Sequence, residues 1–227
     1  MKRQRLNWQE KVRKNMRKIM DFEHVKAVFE EYLNGYDREN DKVKLKIVHT
    51  YGVIRCSEEI GRRMGLQAED MELAKLIALL HDIGRFEQLK RFNSFEADTM
   101  DHATYGVQVL FEEGMIRQFI EEDTWDDVIR TAIAKHSDYE LTGITDERTL
   151  LHARLIRDAD KLDNCRVKLE DAMETLLDLS ADEVGKYAIS PKVREDAFAG
   201  KCICSKDRKY FSGASGIKIA DKEHPPP

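Results

Sequence analysis

Cysteine and proline are both scarce in this chain of 227 residues, with four of each. The cysteines are Cys56, Cys165, Cys202 and Cys204. None forms a C-x-x-C pair, which argues against a thiolate zinc site and a disulfide scaffold, and for a reduced, cytoplasmic setting. Three of the prolines close the chain and glycines number only twelve, so little interrupts helical propensity. No apolar run approaches the roughly 18–20 residues that span a bilayer. The basic opening "MKRQRLNWQEKVRKNM" lacks the continuous apolar stretch of a secretory signal, and no membrane partner is expected. Net positive charge is missing too: the formal charge is -5, which argues against bulk nucleic-acid binding, so no nucleic-acid partner is expected. There is no alternating strand pattern and no internal repeat.

What remains is a chain with 36% charged and 41% hydrophobic residues in helical spacing, the pattern of an all-α, single-domain helical bundle. Residues 1–38 read as an N-terminal helical extension. Trp8, Val12, Met16 and Ile19 make one stripe there, among eight Lys/Arg and a single acid in the first twenty residues. A second stripe runs through Phe22, Val25, Phe29, Tyr32 and Tyr36, closed by Asn34-Gly35. Residues 39–199 form the main domain. Its spacing predicts helices over about 41–64 with Asn40 as N-cap, over 69–83 stopping at Gly84, and over 100–113, 124–137, 146–178 and 182–198. The stretch 85–99 reads as a loop placed like a substrate lid, with Phe86, Phe92 and Phe95 among Lys90 and Arg91. Residues 200–227 lose periodicity and read as an irregular tail.

Several buried stripes carry a residue that a core normally rejects. His49 follows Leu45 by four on the face of Val53, Cys56 and Ile60. His81 follows Ile77 by four, His136 follows Ile129, Ala132 and Ile133 at the same phase, and Ile156 and Val167 bracket Asp160 and Asp163. One inward histidine is ordinarily a hydrogen-bonded core residue. Several helices aiming His or Asp inward are another matter, because a buried carboxylate needs a compensating cation. No Lys or Arg is read on these stripes, so a divalent ion is expected to supply the charge, held by His49, His81, Asp82 and Asp160.

Three ordered segments, "KIVHTYGV", "LIALLHDIGR" and "LIRDADKLDN", resemble the HD superfamily of metal-dependent phosphohydrolases over about residues 40–180. The resemblance implies a helical bundle around one or two divalent ions, with Mn, Fe, Co, Ni, Mg and Zn all suited to N/O ligands. "MDHATYGVQVL" and "AIAKHSDYE" resemble the branch with two extra histidines, which implies a second ion at Asp82, His102 and His136. His24, His152 and His224 match no motif position. Cations beside these ligands are expected to grip phosphate, Arg85 first, then Lys161 and Lys135, with Asp82, Arg85 and Lys161 expected to carry catalysis. Asp163 would orient a ligand histidine. Gly84 is expected to end the helix and turn the backbone away from the ions.

The function implied is hydrolysis of a phosphomonoester, phosphodiester or pyrophosphate bond in a small nucleotide-like substrate, with a homodimer left open. No GYP triplet follows "HDIGR", which disfavours the cyclic-dinucleotide branch, and no synthetase segment accompanies the domain, which excludes a bifunctional alarmone enzyme. The alternative is a metal- or nucleotide-binding sensor or scaffold with little turnover, whose handle is the basic N-terminal stripe. The complete ligand set argues against it. A third class, di-iron oxygenase chemistry, lacks a clear counterpart for its lid-loop His and Lys.

Overall fold

A computed structural model describes residues 20–201 apart from 97, 171–172, 178, 187–188 and 190, and among these every regular element is helical. The stripe from Trp8 to Ile19, Cys202, Cys204, His224 and all but the first two residues of the tail lie outside the described residues. The helices are α1 (Phe22–Leu33), α2 (Asp41–Met64), α3 (Ala68–Leu80), α4 (Ile83–Phe92), α5 (His102–Val107), α6 (Ile116–Phe119), α7 (Asp126–Lys135), α8 (Glu147–Glu170), α9 (Met173–Leu177), α10 (Ala181–Val184) and α11 (Pro191–Phe198). A wide π turn, Gln108–Glu112, extends α5.

Local chemistry sets the boundaries. The Asp21, Asn40 and Asp101 side chains accept hydrogen bonds from the first free backbone N–H groups of α1, α2 and α5. At the far end of α2, Gly65 takes φ 72° and closes the helix with bonds back to Arg62 and Gly61. α3 is the axis of the bundle, buried along Leu73, Ala74 and the run Leu76–Leu80. α1, α2, α7 and α8 pack around it, the arrangement expected of a helix that is apolar on nearly every side. Val25, Phe29 and Leu33 of α1 belong to the same core as α3.

Several expectations are corrected. The helix predicted over 69–83 ends at Leu80, and the predicted lid loop is largely helix α4. Ile83, Phe86 and Leu89 recur every third residue and are buried, so this segment has a core face of its own, and Phe86 meets Phe29 edge-on. The chain breaks between α3 and α4 at Asp82, with φ -109° and ψ 21°. Gly84 therefore ends nothing. It sits in the first turn of α4, where a Cβ would lie 2.2 Å from the His102 carbonyl oxygen and 2.7 Å from the Gly106 nitrogen. Its role is to let α5 approach closely. The helix predicted over 182–198 is likewise broken, since Pro191 heads α11 and cannot continue an earlier helix. Of the one predicted over 146–178, the described residues place Glu147–Glu170 in α8 and Met173–Leu177 in α9.

Candidate metal centre

Helix ends deliver most of the candidate residues to one point. His81 caps the C-terminus of α3, His136 caps that of α7, Asp82 is the break before α4, and His102 is the first residue of α5. His49 and Asp160 come from the middles of the two long helices α2 and α8, which pack side by side. The C-terminal ends of α3 and α7 add a partial negative charge that favours a cation.

The six residues form two overlapping groups. His49, His81, Asp82 and Asp160 can each offer a donor atom within 4.8 Å of one another, and so can Asp82, His102 and His136. Asp82 is shared and divides its oxygens. Its Oδ2 lies 3.8 Å from His49 Nε2 and 3.3 Å from His81 Nε2; its Oδ1 lies 3.2 Å from His102 Nε2 and 3.6 Å from His136 Nε2. All are buried except Asp160, whose side chain is 19% exposed and forms the open edge.

Hydrogen bonds fix the ring nitrogens. His81 and His136 each give Nδ1–H at 2.7 Å to the carbonyl three residues earlier, Ala78 and Ile133, which aims both Nε2 atoms at the cluster. His49 does the same through Asp163, with Nδ1 and Oδ2 2.8 Å apart. Arg166 Nε holds Asp163 Oδ1 at 2.8 Å, and a Cβ on Gly52 would fall 1.9 Å from that oxygen. Glycine at 52 is the opening into which the carboxylate fits.

The absence of cations on these stripes is corrected. Lys46, one turn before His49, is buried with Nζ 2.6 Å from Asp82 Oδ2. The lysine side chain is long enough to reach inward from a position that reads as solvated. Arg85 is half-buried, with Nη2 3.0 Å from His102 Nε2 and further bonds to Gln88 and the Phe95 carbonyl. It therefore lies against the cluster. Lys135 pairs with Asp138 at 3.3 Å and Lys161 is exposed; neither bonds to the cluster. His24 meets the Gln118 carbonyl and His152 meets Asp70, both away from the cluster.

Whether the pocket fits an ion is decided by what stays unsatisfied. His81 Nε2 and Asp82 Oδ1 are buried without a hydrogen-bond partner. His102 Nε2 and His136 Nε2 face each other at 3.1 Å, although His136 already spends its Nδ1–H on Ile133 and Arg85 already donates to His102. Neutral rings leave lone pairs crowding Asp82 Oδ1, which a cation would relieve. The charges agree. Burial opposes ionisation of Asp82, but Lys46 and His81 outweigh it and hold the carboxyl well below its usual range. Burial also opposes a charged His81, yet Asp82 and Asp160 lift that imidazole to about 9. Burial pushes His102 down to about 4, and Asp160 is held low against its own burial by His49 and His81. Lys46 was the residue missed from the sequence; its signal was its spacing, three residues before His49.

The family model described as HD domain matches residues 47–165. Ribonuclease Y of Acetivibrio thermocellus is 29% identical over 165 residues, covering 69% of this chain. The chain spans only 27% of that curated relative's length. No solved structure matches.

Proposed function

The chain belongs to the HD domain family, whose members are typically metal-dependent phosphohydrolases, and from that premise we propose that it hydrolyses a phosphate ester of a nucleotide-like substrate at the cluster around Asp82. The observation that carries this reading is the division of the Asp82 oxygens between two groups of imidazoles, a shared carboxylate suited to two ions. Divalent ions supply Lewis-acid polarisation of the phosphoryl group and acidify water.

This chain's own residues do the rest. His49, His81, Asp82 and Asp160 would hold one ion, and Asp82, His102 and His136 would hold the other. Ala78, Ile133 and Asp163 engage Nδ1 of His81, His136 and His49, which leaves Nε2 as the nitrogen each ring turns toward the ions. Lys46 and Arg85 flank Asp82 from opposite oxygens and offer positive charge to a bound phosphate, with Lys161 and Lys135 further out. Water attacks phosphorus, the ester P–O bond breaks, and the leaving oxygen takes up a proton. A relative named as a ribonuclease supports including phosphodiesters among the substrates.

The test is a panel of phosphomonoesters, phosphodiesters and pyrophosphates offered to protein reconstituted with each candidate metal. Release of product that is lost in Asp82→Ala is expected. Tight ligand binding without turnover under any metal would replace this reading with the sensor or scaffold.

A further inference from the structure

Positive charge is unevenly placed on this chain, whose net charge is -5. Many exposed cations sit against carboxylates, as Lys44 does with Glu39, Arg62 and Arg63 with Glu59, and Arg91 with Glu87. α8 differs. Arg154, Arg157, Lys161 and Lys168 stand at steps of three, four and seven, so all four leave the helix within about 60° of arc. Arg154, Lys161 and Lys168 are exposed and form no ion pair or hydrogen bond among the described residues. Arg157 donates Nη2 to the Tyr139 carbonyl at 2.8 Å, which leaves its charge unneutralised.

The stripe is continuous with the open edge of the candidate metal centre. Asp160, the most exposed of the six candidate ligands, is the neighbour of Lys161 and one turn from Arg157. From Arg154 to Lys168 the row spans about 21 Å. A mononucleotide would meet only the charges nearest Asp160, whereas a row of phosphates would meet them all. Beside Arg157, Tyr139 leaves 50% of its surface exposed, an aromatic face at the edge of a basic row. Base stacking next to backbone-tracking cations is how single strands are bound without sequence preference.

We propose that this face of α8 binds the phosphodiester backbone of a single strand of nucleic acid, with Tyr139 stacking on a base and one phosphate of the strand reaching the centre at Asp160. The delivery of that phosphate rests on the hydrolase reading above; the binding does not. The overall charge of -5 hides the stripe, on whose face the exposed Asp158 is one carboxylate among four cations.

The test measures anisotropy of labelled rU12 and dT12 with the full chain across a salt series, beside hydrolysis of bis(p-nitrophenyl) phosphate by metal-loaded protein. Four phosphate contacts give a log–log salt slope near -3, since each contact on a single strand contributes about -0.7. Arg154→Gln combined with Lys168→Gln should shallow that slope by about 1.4, weaken binding roughly tenfold, and leave small-ester hydrolysis unchanged. Tyr139→Ala should weaken binding by a similar factor with the slope retained. A preference between the two strands identifies which nucleic acid is bound. Turnover of the small ester with equal strand binding by wild type and double variant overturns the stripe alone. Strand binding lost in the double variant, with no ester hydrolysed under any metal, keeps the stripe and removes the hydrolase reading. Binding of anionic lipid vesicles in place of either strand also overturns the proposal.

Discussion

Asp163 Oδ2 lies 2.8 Å from His49 Nδ1, and through this bond α8 decides which nitrogen α2 presents to the cluster. A carboxylate here makes the imidazole a better donor than an amide would. Asp163→Asn should therefore weaken divalent-metal binding about 10–100-fold without unfolding the chain. Calorimetric titration with Mn(II) checks the affinity and circular dichroism checks the fold.

Gly84 and Gly106 mark where α4 and α5 nearly touch. Gly84→Ala puts a methyl against backbone atoms of His102 and Gly106 that have no side-chain freedom with which to yield. We expect a loss of about 1–3 kcal/mol in denaturant unfolding. Metal binding should suffer more at the group containing His102 than at the group containing His49. Gly65→Ala tests a different effect, since there the space is open and only φ 72° is strained; its cost should be about 1 kcal/mol.

Lys46 and the metal compete for the same oxygen of Asp82. Lys46→Met should destabilise the metal-free chain by about 1.5–3 kcal/mol, because it removes a charged hydrogen bond to a buried carboxylate that keeps only His81 as its close cation. Saturating metal should recover much of that loss. Urea denaturation with and without metal separates the two states.

The sequence made much of this arrangement legible, for definite reasons. His49, His81, His136 and Asp160 stand at i+3 and i+4 from residues that are buried, so helical phase alone placed them inward. Asn40 announced the start of α2 through its capping chemistry. Lys46 was hidden because hydropathy patterns score its ammonium and ignore its stem. α4 was hidden because "GRFEQLKRF" is short, charged and headed by a glycine, and its burial comes from packing against α5 and α1. The closeness of Gly84 to Gly106 is a tertiary fact that no local pattern announces.

His81 gives the pH dependence. Burial resists its charge, the two carboxylates overcome that, and the imidazole is held up to about 9 in the metal-free chain. A raised pKa means that the proton is bound below about 9 and released above it. A metal ion needs the lone pair that the proton occupies, so affinity should rise about tenfold per pH unit and level off near 9. Metal uptake at pH 7 should release one proton from this residue, measurable by calorimetry in buffers of different ionisation enthalpy.

Metal stoichiometry tests the shared carboxylate most directly. Elemental analysis of chain loaded with Mn(II) and desalted should find two ions in the wild type, one in His136→Ala, and fewer than one in Asp82→Ala. Retention of the wild-type metal content by Asp82→Ala would contradict the account, because an ion that does not need Asp82 is not bound where His49, His81, His102 and His136 converge.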